Sequence, residues 1–130
     1  YYQNIKNGKD IVLEDGRIIE NDQLTFDPVP AKNYAFCSDT VYNEAILPII
    51  ENIDVLYHES TFLQSEENLA KKTLHSTAKE AATIALKANA KQLILGHYST
   101  RYESIELFKE EAETIFPEVL LADDGKSFEF

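Results

Sequence analysis

An α/β fold with helices covering a parallel sheet is the architecture this sequence predicts. Three observations predict it. Short apolar runs at Tyr34–Cys37, Asp54–Tyr57 and Gln92–Leu95 read as buried strands. Helical patterns separate them, the clearest being an alanine-rich stretch near residues 78–89. A capping-box sequence, Thr77-Ala78-Lys79-Glu80, opens that stretch, with Thr77 and Glu80 able to satisfy each other's free backbone N–H groups. Strands that alternate with helices form βαβ units, which bury a parallel sheet under helices.

The elements follow in order. The first third reads as irregular with one hairpin, because Ile11-Val12-Leu13 and Arg17-Ile18-Ile19 flank Glu14-Asp15-Gly16, and Asp-Gly between apolar runs is a turn signal. Asp27-Pro28-Val29-Pro30 reads as extended loop, since proline disfavours helix in the preceding residue. After the strand at 34–37, residues 43–52 read as a helix that Pro48 kinks or restarts. Residues 66–72 read as a helix. Ala78, Ala81, Ala82, Ala85 and Ala88 give the next helix a small-residue face for close packing on a sheet. Residues 104–116 form an amphipathic pattern stopped by Pro117, and 119–121 and 127–130 read as strands around Asp123-Asp124-Gly125. The chain reads as one unit, 1–130, with hairpin and loop over 1–32 and a βαβ-type half over 33–130.

Composition bounds the function. The chain has 130 residues, 44% hydrophobic and 27% charged, which suits a folded domain. Twelve Lys and Arg against 23 Asp and Glu give a net charge of −11, which argues against a broad nucleic-acid surface. No apolar run approaches the roughly 18 residues of a membrane span. The single cysteine, Cys37, excludes an internal disulfide framework, fits a reducing compartment, and reads as an inert core thiol. Methionine is absent, so the chain reads as a processed product or a piece of something longer.

The chemistry-bearing residues share a position. The three strands run into Ser38-Asp39-Thr40, His58-Glu59 and Gly96-His97, and the third histidine, His75, precedes the capping box. Ligands gather at the carboxyl ends of strands in such sheets. Asp and neutral His suit zinc, and a zinc site can activate water or clamp a phosphodiester. Glu59 can orient an imidazole or relay a proton, and His75 near a helix N-terminus can meet a phosphate. Arg101 and Tyr102 can touch a phosphate, though a surface arginine needs no such role. Each feature also has a plainer reading: a strand-end Asp as a turn or cap, a lone His as surface, and Glu110-Glu111-Glu113 as a solvated helix face.

Cys37-Ser38-Asp39-Thr40, His58-Glu59-Ser60-Thr61-Phe62, His75-Ser76-Thr77 and Gly96-His97-Tyr98-Ser99-Thr100-Arg101-Tyr102 resemble, in order, the C-terminal motifs of ribonuclease Z. Segments at 8–17 and 29–32 are also similar to that family. Ribonuclease Z is the tRNA 3′-processing endonuclease of the metallo-β-lactamase superfamily. The resemblance implies the C-terminal αβ half of an αβ/βα sandwich. Asp39 would bridge two zinc ions and His97 would ligate one. His75 would contact the scissile phosphate and help protonate the leaving oxygen, with Glu59 as partner. His58, Ser76, Thr77 and Arg101 would support the site or touch substrate. The N-terminal half, with the His-x-His-x-Asp-His motif and a basic tRNA-gripping arm, is missing, so this stretch alone should be inactive and hold little zinc. The resemblance further implies a tRNA precursor as substrate, a homodimer, no membrane and a cytoplasmic setting. Leu74 stands where the family often has glycine. Two alternatives stay open: a related hydrolase of small phosphodiesters, and a non-catalytic acidic α/β interaction module.

Overall fold

The computed structural model describes residues 2–21 and 29–130, apart from the side chains of Tyr2 and Asn4; Asp27 and Pro28 of the proposed loop lie outside the described residues. The chain divides into two compact units, Tyr1–Ala31 and Lys32–Phe130. In the first, a short helix α1 (Tyr2–Lys6) stands where the sequence reads as irregular. It precedes the hairpin of β1 (Ile11–Val12) and β2 (Ile18–Ile19), paired Ile11 to Ile19 and Val12 to Ile18. The hairpin turn is closed by Gly16 N–H to Leu13 O at 2.9 Å, and Gly16 takes a φ of 85° that only glycine adopts without cost.

The second unit is a four-stranded sheet in the order β3–β4–β5–β6, with every neighbouring pair parallel. Its strands are β3 (Tyr34–Cys37), β4 (Val55–Glu59), β5 (Gln92–Gly96) and β6 (Val119–Leu121). Strand β3 is an edge, and Tyr34 and Phe36 are exposed, so the expectation of a buried strand holds for β4 and β5 but fails at β3. The helix expected over 43–52 is a 3-10 turn (Glu44–Ile46) followed by α2 (Leu47–Ile50), with Pro48 in the first turn, where its missing N–H costs nothing. A 3-10 turn (Gln64–Glu66) leads into α3 (Glu67–Thr73).

Helix α4 (Ala78–Lys87) carries the predicted capping box with both reciprocal hydrogen bonds formed. Its Ala78, Ala81, Ala82 and Ala85 are fully buried in one core with Leu56, Leu93 and Leu95 of the sheet. Absent side chains beyond Cβ let the helix approach the sheet closely. Helix α5 (Glu106–Glu113) adds Phe108, fully buried and worth roughly 2–3 kcal/mol in apolar burial. Glu111 is not a solvated residue as its cluster suggests. Its carboxylate accepts from Gln64 N–H at 2.9 Å and Lys79 N–H at 3.1 Å, which places negative charge at the α4 N-terminus.

Residues 127–130 form no strand. Phe130 instead stacks on Tyr34 of β3, the opposite edge strand, at 6.1 Å, so the tail follows an aromatic contact rather than a hairpin with β6.

Candidate metal centre and the buried carboxylate beside it

Register puts the chemistry at one rim. Cys37 pairs with His58, and Glu59 pairs with Gly96. Asp39, Thr61 and His97 therefore leave three adjacent strands at the same edge. Asp39 and His97 both adopt left-handed backbone, with φ of 49° and 61°, so the chain reverses as soon as each strand ends. Gly96 is required immediately before His97. A Cβ there would meet the Tyr57 ring at 2.7 Å and its hydroxyl closer still.

The loop after β4 is clamped on both sides. Ser60 N–H donates to Gly96 O at 2.9 Å, and Ser99 N–H donates to Thr61 O at 2.9 Å. On the other side Phe62 bridges Thr77, with Ala78 N–H donating to Phe62 O at 2.9 Å. This clamp holds Glu59 and Thr61 between the loop of His75 and the loop of His97.

Glu59 is fully buried, and its carboxylate is saturated. Oε1 accepts from Thr40 N–H at 3.1 Å and from His75 Nδ1 at 2.8 Å. Oε2 accepts from Thr61 N–H at 3.1 Å and from the Thr61 hydroxyl at 2.8 Å. Four donors match the four lone-pair directions of a carboxylate, which is what allows the group to sit away from water. Because Nδ1 of His75 donates to Glu59, its Nε2 is the ring atom left to face outward.

Above this floor, donor atoms of Asp39, His75 and His97 lie within 4.8 Å of one another. His97 Nε2 stands 3.2 Å from Asp39 Oδ1, and the His75 and His97 rings stack at 5.2 Å. The donor set fits zinc: two ligand bonds of about 2.0–2.1 Å at a tetrahedral angle separate their donors by about 3.3 Å. Two lone-pair-bearing atoms at such a distance require a proton or a cation between them. His97 also borders a cleft of about 290 Å³ lined by Tyr57, Gly96, Tyr98, Ala122, Asp123 and Asp124. Tyr98 closes its wall, its hydroxyl 2.7 Å from Leu95 O and 2.9 Å from Ala122 O; burial pushes the phenol well above its ordinary range.

Four residues named from sequence lie outside this cluster. His58 is fully buried; Nδ1–H donates to Glu59 O at 2.8 Å, and Nε2 has no partner among the described residues. Desolvation holds its imidazole below the ordinary histidine range. Ser76 and Thr77 are also fully buried. Ser76 Oγ donates to Thr40 O at 2.5 Å, and Thr77 caps α4 and donates to Gln64. Both tie the His75 loop down. Arg101 pairs with Glu66 at 3.4 Å and lies over the Phe62 ring. The sequence reading quoted Thr61 within a motif but gave it no role; its position two residues after Glu59, next to the clamp, is the signal. Cys37 is half-buried, and burial raises its thiol, consistent with an unreactive cysteine.

Leu74 closes α3 with φ 62° and ψ 44°, and the next N–H, from His75, bonds to Ala70 O at 2.8 Å. This is the helix-ending left-handed position that glycine favours. The leucine tolerates it, and His75 still reaches Glu59.

Known proteins share the sequence and the fold of this chain. A ribonuclease Z of Parabacteroides distasonis is 50% identical over 123 residues, 95% of this chain and 40% of that protein. The chain is a relative of ribonuclease Z. A ribonuclease Z of Bacteroides thetaiotaomicron is 50% identical over 93% of the chain, and one of Anoxybacillus flavithermus is 45% identical over 98%. The chain spans about 40% of the length of these ribonuclease Z relatives. Among solved structures, the metallo-β-lactamase fold protein YhfI of Bacillus subtilis superposes with a TM-score of 0.64 and 30% identity over 70% of the chain and 37% of its own. A long form RNase Z from yeast gives 0.50 and 33% over 58% of the chain and 10% of its own. The fold is that of the metallo-β-lactamase superfamily. No protein-family model matches the chain.

Proposed function

We propose that this chain forms part of the active site of a zinc-dependent endoribonuclease that removes the 3′ trailer from tRNA precursors and leaves a 3′-hydroxyl. The observation that carries the reading is the convergence of Asp39, His75 and His97 over the buried, four-fold bonded Glu59. Asp39 Oδ1 and His97 Nε2 are the atoms that would hold metal. Two donors leave a coordination shell open, so further ligands come from residues outside these 130, and this stretch alone retains little zinc. Zinc bound there supplies Lewis-acid polarisation and water activation near neutral pH.

The chain's own residues do the rest. Glu59 holds the His75 ring by Nδ1, so that Nε2 faces the scissile phosphate. Protonated at that atom, His75 gives its proton to the leaving 3′ oxygen of the tRNA as its bond to phosphorus breaks, and the phosphate stays on the trailer. We assign the two units, hairpin with loop and βαβ-type half, to one metallo-β-lactamase-like domain completed by an N-terminal half, and take the working enzyme to be a cytoplasmic homodimer with two zinc ions.

The test is cleavage of a 3′-extended tRNA precursor by the full-length protein. Asp39→Ala and His97→Ala should abolish turnover, and His75→Ala should lower it about 10²–10⁴-fold. Near-normal activity in Asp39→Ala and His97→Ala would refute the assigned roles. The net charge of −11, and the pairing of Arg101 with Glu66, favour testing a second reading in which the substrate is a small phosphodiester. Preference for such a substrate over the tRNA precursor would select it.

A further inference from the structure

Thr61 occupies a place that neither a metal ligand nor a proton donor fills. Its hydroxyl lies 2.8 Å from Glu59 Oε2 and 2.8 Å from His97 Nδ1. The residue is buried, and its backbone is fixed at both polar groups, N–H to Glu59 and carbonyl from Ser99. A hydroxyl has one proton and two lone pairs. Facing a carboxylate oxygen at 2.8 Å, it must spend the proton there, since two acceptors cannot approach so closely without one. Only lone pairs then remain for His97. Nδ1 of His97 must therefore carry hydrogen and donate to Thr61, which leaves Nε2, beside Asp39, as the one ring atom that can take a metal.

The other imidazole is set by the same carboxylate. His75 Nδ1 donates directly to Glu59 Oε1, and His97 Nδ1 donates to Glu59 through Thr61. One buried anion thus fixes two stacked rings in the same Nδ1–H form, each with Nε2 outward. Resting on the metal reading above, we propose that Thr61 is a positioning residue that transmits the Glu59 charge to His97, fixing the tautomer and orientation in which His97 binds metal.

The experiment uses the full-length protein with Thr61→Val, which keeps the shape and removes the hydroxyl, and Thr61→Ser, which keeps the hydroxyl. Zinc affinity is measured by competition with a chromogenic chelator, and the His97 ring is followed by ¹⁵N–¹H NMR in the zinc-loaded protein. Thr61→Val should bind zinc about 10–100-fold more weakly, as expected when the partner of a ligand histidine is lost. Its His97 Nδ1–H signal should move upfield and exchange faster. Thr61→Ser should restore both to near wild type. Wild-type zinc uptake with an unchanged affinity and Nδ1–H signal in Thr61→Val would overturn the role of Thr61 alone. Wild-type protein whose His97 binds zinc through Nδ1 would overturn it even if Thr61→Val fails to fold. Absence of zinc uptake by wild type would overturn the metal reading and this role with it.

Discussion

Two carboxylates stand within the same site under opposite conditions. Glu59 is sealed at the end of a central strand, with four donors around it. Asp39 follows the edge strand β3, its side chain 70% exposed, with its Oδ1 3.2 Å from His97 Nε2. The contrast separates two tasks that the same functional group can do. A saturated, buried carboxylate has no lone pair left for an incoming ligand and serves to orient its neighbours. An exposed one with free lone pairs is available to an ion or substrate.

Substitution should expose that division. Glu59→Ala in the full-length protein should lower unfolding free energy by about 3–5 kcal/mol, because it strands the donors of His75, Thr40 and Thr61 away from water. Asp39→Ala should cost only about 1–2 kcal/mol, the left-handed backbone penalty of an alanine there, while removing activity. Urea unfolding of the two variants measures the difference, and equal losses would erase the distinction.

A second expectation concerns the other buried polar group of β4. His58 is neutral in the fold, since desolvation lowers its affinity for protons below that of the unfolded chain. Its contribution is fully present above the ordinary value of 6.5 and is lost as pH falls below it. The slope reaches up to about 1.4 kcal/mol per pH unit for one proton. Urea unfolding at pH 7.5, 6.5 and 5.5 should show this slope, and His58→Phe should flatten it. An unchanged slope in that variant would assign the acid sensitivity elsewhere.

The smallest effect belongs to the rim. Leu74 holds a left-handed conformation that costs an L-residue roughly 1–2 kcal/mol, and its side chain is exposed. Glycine relieves the strain but loses more chain entropy, by about 0.5–1 kcal/mol. Leu74→Gly should therefore stabilise by about 0.5 kcal/mol, readable as a small rise in melting temperature with His75 function intact.

Much of this architecture was legible before coordinates. The strand ends were visible because apolar runs stop abruptly at Asp39, Glu59 and His97, and the Thr77–Glu80 box was visible because it is a local motif. What stayed hidden depends on distant partners. Tyr34–Cys37 has the composition of a central strand, but its place at the sheet edge is set by strand order. Residues 127–130 carry a hairpin signal, which the contact of Phe130 with Tyr34 overrides. Glu111 looks solvated until the α4 N-terminus is seen beside it. The link through Thr61 needs two loops in register, and no spacing rule contains it.

The left-handed residues carry one last lesson. Among the described residues five non-glycine positions take positive φ: Asp39, Asn52, Leu74, Asn89 and His97. Asp, Asn and His are the side chains most tolerant of that conformation. At 39 and 97, then, the amino acid that suits the bend is also the one that can offer a donor atom. Swapping Asp39 for glutamate, or His97 for a larger group, alters reach and backbone comfort at once, so coordination chemistry and chain reversal there cannot drift independently.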